Sequence, residues 1–125
     1  MKVLALDFGS ARTGVAVSDP TGTVARPLTT VRQATTAGGF AKLLAVIEAE
    51  APERVVVGMP LTLRGAHGDQ AKETAAFVER LRAAVAAPVD TYDERFTSVL
   101  AAGDDARAAA HLLAGYLERC RTGEP

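Results

Sequence analysis

The chain has 125 residues, 48% of them apolar and 23% charged, the size and composition of one soluble globular domain rather than of a disordered chain or a two-domain protein. A formal net charge of −1 is not the basic excess usual in proteins that track phosphate backbones, so any such contact must come from local charges or bound cations. The lone cysteine, Cys120, excludes an internal disulfide and a cysteine-based zinc site and suits a reducing compartment. The opening apolar stretch meets Asp7 too early for a secretory segment, and no run approaches the length of a membrane span, so a cytoplasmic location is expected.

Lys2 to Asp7 and Thr13 to Ser18 predict two strands joined through the small-residue turn Gly9-Ser10-Ala11. After a turn at Asp19-Pro20-Thr21-Gly22, the Thr- and Val-rich stretch Thr23 to Val31 predicts a third strand despite Pro27, which makes the first quarter an antiparallel meander. Phe40, Leu43, Leu44 and Ile47 then repeat at helical spacing, after Gly38 and Gly39 and before Pro52. Arg54 to Gly58 is a continuous β-branched run suited to a strand covered on both faces.

Met59 to Asp69, with Pro60, Gly65 and Gly68, has no sustained period and predicts a long working loop. Thr74, Phe77, Val78, Leu81 and Val85 form one face of a second helix, closed by Pro88 before a short strand Val89 to Tyr92. Thr97 to Ala102 predicts a brief helix, and a last helix runs from Asp104 or Asp105 to about Arg119 with Ala109, Leu112, Leu113 and Tyr116 inward. The order β-β-β-α-β-α-β-α implies an α/β domain with a mixed five-stranded sheet and helices packed on its faces.

Three acids stand where these elements end. Asp7 closes the first strand in phase with Val3 and Ala5, Glu94 closes the fifth within Tyr92-Asp93-Glu94-Arg95, and Asp105 opens the last helix. A helix cap is the ordinary explanation of Asp105, yet it shares a helix face with the inward residues Ala109, Leu112, Leu113 and Tyr116. Asp104, heading the wetter row of Ala108, His111 and Gly115, is the better cap. An inward carboxylate without a cation carries a desolvation cost on the order of several kcal/mol. Two hard cations about 4 Å apart, held by such carboxylates and by a phosphate, would remove that cost and can activate water.

Four ordered blocks carry a resemblance that runs nearly end to end: Leu6-Asp7-Phe8-Gly9-Ser10-Ala11-Arg12-Thr13-Gly14-Val15-Ala16-Val17-Ser18-Asp19, Val56-Val57-Gly58-Met59-Pro60-Leu61, Asp93-Glu94-Arg95-Phe96-Thr97-Ser98, and Asp105 before an alanine-rich helix ending Tyr116-Leu117. With these the chain resembles the YqgF (RuvX) family of pre-16S rRNA nucleases or Holliday junction resolvases of the ribonuclease H-like fold. The resemblance implies that Asp7, Glu94 and Asp105 are catalytic acids binding Mg²⁺ or Mn²⁺ in a two-metal site. It places Arg12, Arg95 and Thr97 near substrate, with Gln70 either touching substrate or merely starting its helix, and Gly58 to Leu61 at a strand-end turn. The implied partner is nucleic acid, pre-rRNA or branched DNA, with no membrane and with dimerisation left open. One departure stands out: the family's longer, basic stretch before the final acid is missing, since Gly103 leads straight to Asp104-Asp105. Ser98 also replaces a usual Thr.

Two other readings compete. Asp7-Phe8-Gly9 with Gly14 also resembles the phosphate-binding hairpin of sugar kinases, actin and the heat-shock chaperone ATPases, but the chain has no second lobe to close over a nucleotide and no Walker-type lysine loop. A ribonuclease H-like module that binds structured RNA without cutting it would fit the lost basic stretch. His67 reads as a solvated loop residue, His111 as half-exposed and Cys120 as a bystander at a frayed end, while Arg107 faces away from the acids and Gly9 and Gly14 serve tight backbone geometry.

Overall fold

The computed structural model describes residues 1–9, 11–60, 69–94 and 105–122. Its strands are β1 (Val3–Asp7), β2 (Arg12–Ser18), β3 (Ala25–Arg32), β4 (Arg54–Pro60) and β5 (Val89–Glu94), and its helices are α1 (Ala37–Glu50), α2 (Asp69–Ala84) and α3 (Asp105–Thr122). They form one five-stranded sheet in the order β3-β2-β1-β4-β5. β1, β2 and β3 pair antiparallel, whereas β4 and β5 join parallel to β1 and to each other. This is the mixed sheet expected from the alternation of elements.

The two faces of the sheet bury different sets. Leu4, Leu6, Val15, Val31, Val55, Val57 and Val89 pack against Phe40, Leu43 and Ile47 of α1 and Phe77, Val78 and Leu81 of α2. Val3, Ala5, Ala16 and Val56 pack against Ala109, Leu112, Leu113, Tyr116 and Leu117 of α3. The period-two alternation of β1 therefore assigns its odd-numbered residues, Asp7 included, to the α3 side.

Several boundaries move. α1 starts at Ala37 because Thr36 caps it, its hydroxyl accepting from the Gly39 amide at 3.1 Å, so the two glycines sit inside the first turn instead of preceding it. β4 continues through Met59 and Pro60, so strand replaces the turn expected from Gly58 and the start of the loop expected from Met59, while residues 61–68 of that loop lie outside the described residues. Proline is tolerated because β1 has ended by this level and Pro60 needs to pair only with Glu94 of β5. Ala108, expected on a wetter row, is buried. The brief helix expected at 97–102 lies outside the described residues.

The C-terminal half of α3 is anchored by polar contacts. The Tyr116 hydroxyl donates to Asp90 Oδ2 at 3.0 Å and accepts from Arg54 Nη1 at 3.0 Å. Burial raises the Tyr116 phenol above its ordinary pKa, opposed by the Arg54 hydrogen bond and reinforced by the Asp90 one. The neutral phenol is thus the form the fold prefers, and its contribution is present below the ordinary phenol pKa and lost as pH rises through the raised one. Tyr116→Phe should cost about 1–2 kcal/mol in urea unfolding at neutral pH. Above about pH 10 the wild type should lose stability that the Phe variant does not lose, narrowing the gap.

Candidate active site

Asp7 ends β1 and stands half-buried at the carboxyl end of that strand. Its cross-strand partner on β2 is Gly14. A side chain at Gly14 would overlap the start of α3, because a Cβ there would lie 1.8 Å from the Asp105 carbonyl oxygen, 2.2 Å from its carbon and 3.0 Å from the Ala106 nitrogen. The helix therefore begins directly on the bare backbone beside Asp7. Two acids far apart in sequence become neighbours at one end of one face of the sheet.

Asp105, the first residue of α3, is half-buried and pairs with Arg12, Oδ2 to Nε at 3.1 Å. Arg12 opens β2 and is 54% exposed in its side chain. The carboxylate thus meets both the positive end of the α3 dipole and a guanidinium, which together offset part of the cost of a half-buried charge. Arg12, expected against phosphate, is here the ion-pair partner of Asp105.

Glu94 is the last residue of β5, opposite Pro60, and its side chain lies outside the described residues. Its backbone continues the phase of Asp90 and Tyr92, the two β5 residues that meet Tyr116 of α3. Leu6 pairs with Val57 and Gly58 with Tyr92, so position 94 lies about two strand spacings, roughly 10 Å, across the sheet from β1 and a little further along it. Gly58, on the strand between, presents no side chain. Among the described residues no three His, Cys, Asp or Glu side chains gather closely enough to hold a metal ion.

Gln70 lies in the first turn of α2 with its side chain outside the described residues, and Arg95 and Thr97 fall outside them altogether, as do His67 and Asp104. Arg32, which sequence reasoning passed over, is the direct cross-strand partner of Arg12. His111 is exposed, and Arg107 is exposed on α3, beside Pro27 of β3 rather than at the acids. Cys120 is exposed near the end of α3.

A mixed sheet whose first strand delivers an acid to the start of its last helix defines the ribonuclease H-like class of folds. Over 98% of its length the chain superimposes on 96% of a Thermus thermophilus RuvC in complex with Holliday junction substrate, with a TM-score of 0.60 and 19% identity, a likeness of fold. By sequence, residues 1–119 match the RuvX family, described as Holliday junction resolvase, and the chain belongs to that family. A Moorella thermoacetica relative, provisionally named a pre-16S rRNA nuclease, is 38% identical over 135 aligned positions covering 95% of this chain and 96% of the relative. One from Chloroflexus aurantiacus with the same name is 42% identical over 99 residues, 79% of this chain and 65% of the relative.

The seat of α3 is testable. Gly14→Ala must push the helix start off the sheet, since both colliding groups are backbone, and should destabilise the domain by about 1–3 kcal/mol in urea unfolding. An unchanged midpoint would show that α3 does not rest on Gly14.

Proposed function

We propose that this chain is a divalent-metal-dependent nuclease that hydrolyses phosphodiesters in structured nucleic acid, with Asp7, Glu94 and Asp105 holding Mg²⁺ or Mn²⁺. The observation that carries it is the meeting of Asp7 and Asp105 beside Arg12 at one end of the sheet, in a chain of the RuvX family. The donor set fits such ions, because hard cations take carboxylate oxygens and the two described acids come from rigid element ends. When bound, the ions supply Lewis acidity towards phosphoryl oxygens and lower the pKa of water.

The chain's own residues do the rest. Asp7 at the end of β1 and Asp105, whose backbone rests on Gly14, would hold the ions, and Gly58, on the strand between β1 and β5, presents no side chain there. Arg12, now paired with Asp105, would be available to a non-bridging phosphate oxygen once that carboxylate held a cation. Gln70 of α2, and Arg95 and Thr97, which follow β5 in the sequence, are assigned to the substrate flanks. The activity is exercised in the cytoplasm, on the 5′ end of pre-16S rRNA or on four-way DNA junctions. Symmetric incision of a junction needs two such sites in one assembly, so that substrate carries a homodimer with it and the rRNA substrate does not.

With Mg²⁺ or Mn²⁺, the wild type should cleave structured RNA or a four-way junction, and Asp7→Asn or Asp105→Ala should each lower the rate by roughly 100-fold or more without unfolding the chain. That floor is set by losses of about 10–100-fold when groups merely supporting metal ligands are removed. A wild type no faster than Asp7→Asn would sink the nuclease reading and leave a non-cutting binding module.

A cation and Arg12 compete for Asp105. Removing an exposed ion pair worth about 0.2–1 kcal/mol means that Arg12→Gln should tighten Mn²⁺ binding by up to roughly fivefold, measured by calorimetry, while weakening substrate binding. Weaker Mn²⁺ binding in that variant would place Arg12 among the groups that support the metal.

A further inference from the structure

Arg12 and Arg32 are directly opposed on neighbouring strands, an arrangement that is unfavourable for two like charges unless something negative lies over them. The period-two alternation places both on the α3 side of the sheet, since Ala16 of β2 packs on α3 while Thr13 and Val31 fall in the opposite phase. They lie one row beyond Asp7, Gly14 and Thr30, which share a row across β1, β2 and β3. Two residues of strand put them roughly 7 Å further out along the sheet. Asp105 neutralises part of the charge on Arg12. Among the described residues Arg32 has no ion pair, and it is exposed.

The pair forms one wall of an open groove of about 510 Å³ lined by Ala11, Arg12, Arg32 and Gln33. The groove is held in shape by backbone. Gln33 takes a left-handed conformation, φ 49°, donates its amide to the Ala11 carbonyl at 2.9 Å, and accepts at its own carbonyl from the Thr36 amide at 3.0 Å and hydroxyl at 2.7 Å. Gln33 itself lines the groove beside the two arginines. Planar donors on a fixed frame suit an anion with several oxygens.

We propose that this groove binds the phosphodiester backbone of the substrate strand next to the scissile position, with Arg32 as the anchoring residue and Gln33 as a neutral donor. The strand then leaves the acids across β2 towards the free edge at β3. This deepens the nuclease reading and rests on it for its purpose, but it is a statement about binding and can be tested without cleavage.

The experiment measures equilibrium binding by fluorescence anisotropy in EDTA, on full-length Asp7→Asn chain, with two labelled probes: an RNA hairpin bearing a single-stranded extension and a four-way DNA junction. Salt is varied. Adding Arg32→Ala should weaken binding several-fold and reduce the slope of log affinity against log salt by about one, the loss of one phosphate contact. Arg32→Lys should restore most of the slope, and Lys42→Ala, which removes an exposed charge from α1 on the opposite face, should change nothing. The melting temperature of Arg32→Ala should be equal or higher, because a like-charge pair is relieved. The probe that shows the slope change identifies the nucleic acid held there. A slope for Arg32→Ala equal to that for Lys42→Ala overturns the proposal, as does a parent chain with no salt-dependent binding to either probe. Absence of metal-dependent cleavage by the wild type would fell the nuclease reading while leaving this result to stand.

Discussion

The constraint on which the remaining structure depends is the contact between two stretches of backbone, Gly14 on β2 and the first residues of α3. Because no side chain intervenes, the helix starts against the sheet beside the residue that pairs with Asp7. Small side chains continue the close approach, with Ala5 and Ala16 on the sheet facing Ala109 on the helix. Further along α3 the Tyr116 hydroxyl joins Arg54 and Asp90, at the opening of β4 and β5. The helix is thereby pinned at both ends, by sterics at the acids and by hydrogen bonds at the far end, and Asp105 inherits a position that its own side chain did not have to create.

The order of elements, the antiparallel meander and the inward face of α3 were legible because each rests on a local signal: turn residues, a change of hydrophobic period, or apolar residues at helical spacing. The inward placing of Asp105 followed from the same spacing. What sequence could not deliver were relations set by register. Counting back from the turn at 19–22, with Ser18 opposite Ala25 and Ala16 opposite Pro27, an unbroken ladder would place Val31 opposite Arg12. The irregularity between Val15 and Ala16 inserts one residue on β3, so that Val15 faces Thr29 and Arg12 faces Arg32. Pro27, lacking an amide, sits at that point, where a regular ladder is hardest to keep. One extra residue exchanges the faces of everything beyond it, and with it the identity of the groove.

The Arg12–Asp105 pair was hidden for a different reason. Period and capping describe one element at a time, whereas this pair joins the start of β2 to the start of α3. The functional meaning of Gly14 was equally indirect. Tight geometry was the right expectation, but the cause is the approach of a helix from the other end of the chain and not a turn in its own strand.

Charge is what would reconcile a nearly neutral protein with the proposed nuclease function. Without cations, Asp7 and Asp105 stand with Arg12 and Arg32 at the same end of the sheet, and a phosphate backbone would meet a field close to balance. Two divalent cations on the acids would more than cancel their charge and would free Arg12 from Asp105, so that metal and both guanidiniums face the strand together. Affinity for nucleic acid and competence to cut it would then rise with the same binding event, and a chain with a formal charge of −1 would need no general basic surface. On that logic the basic stretch lacking before Asp104 in the sequence would cost the site little of its charge, and the burden of holding a strand would fall on the groove proposed at Arg32.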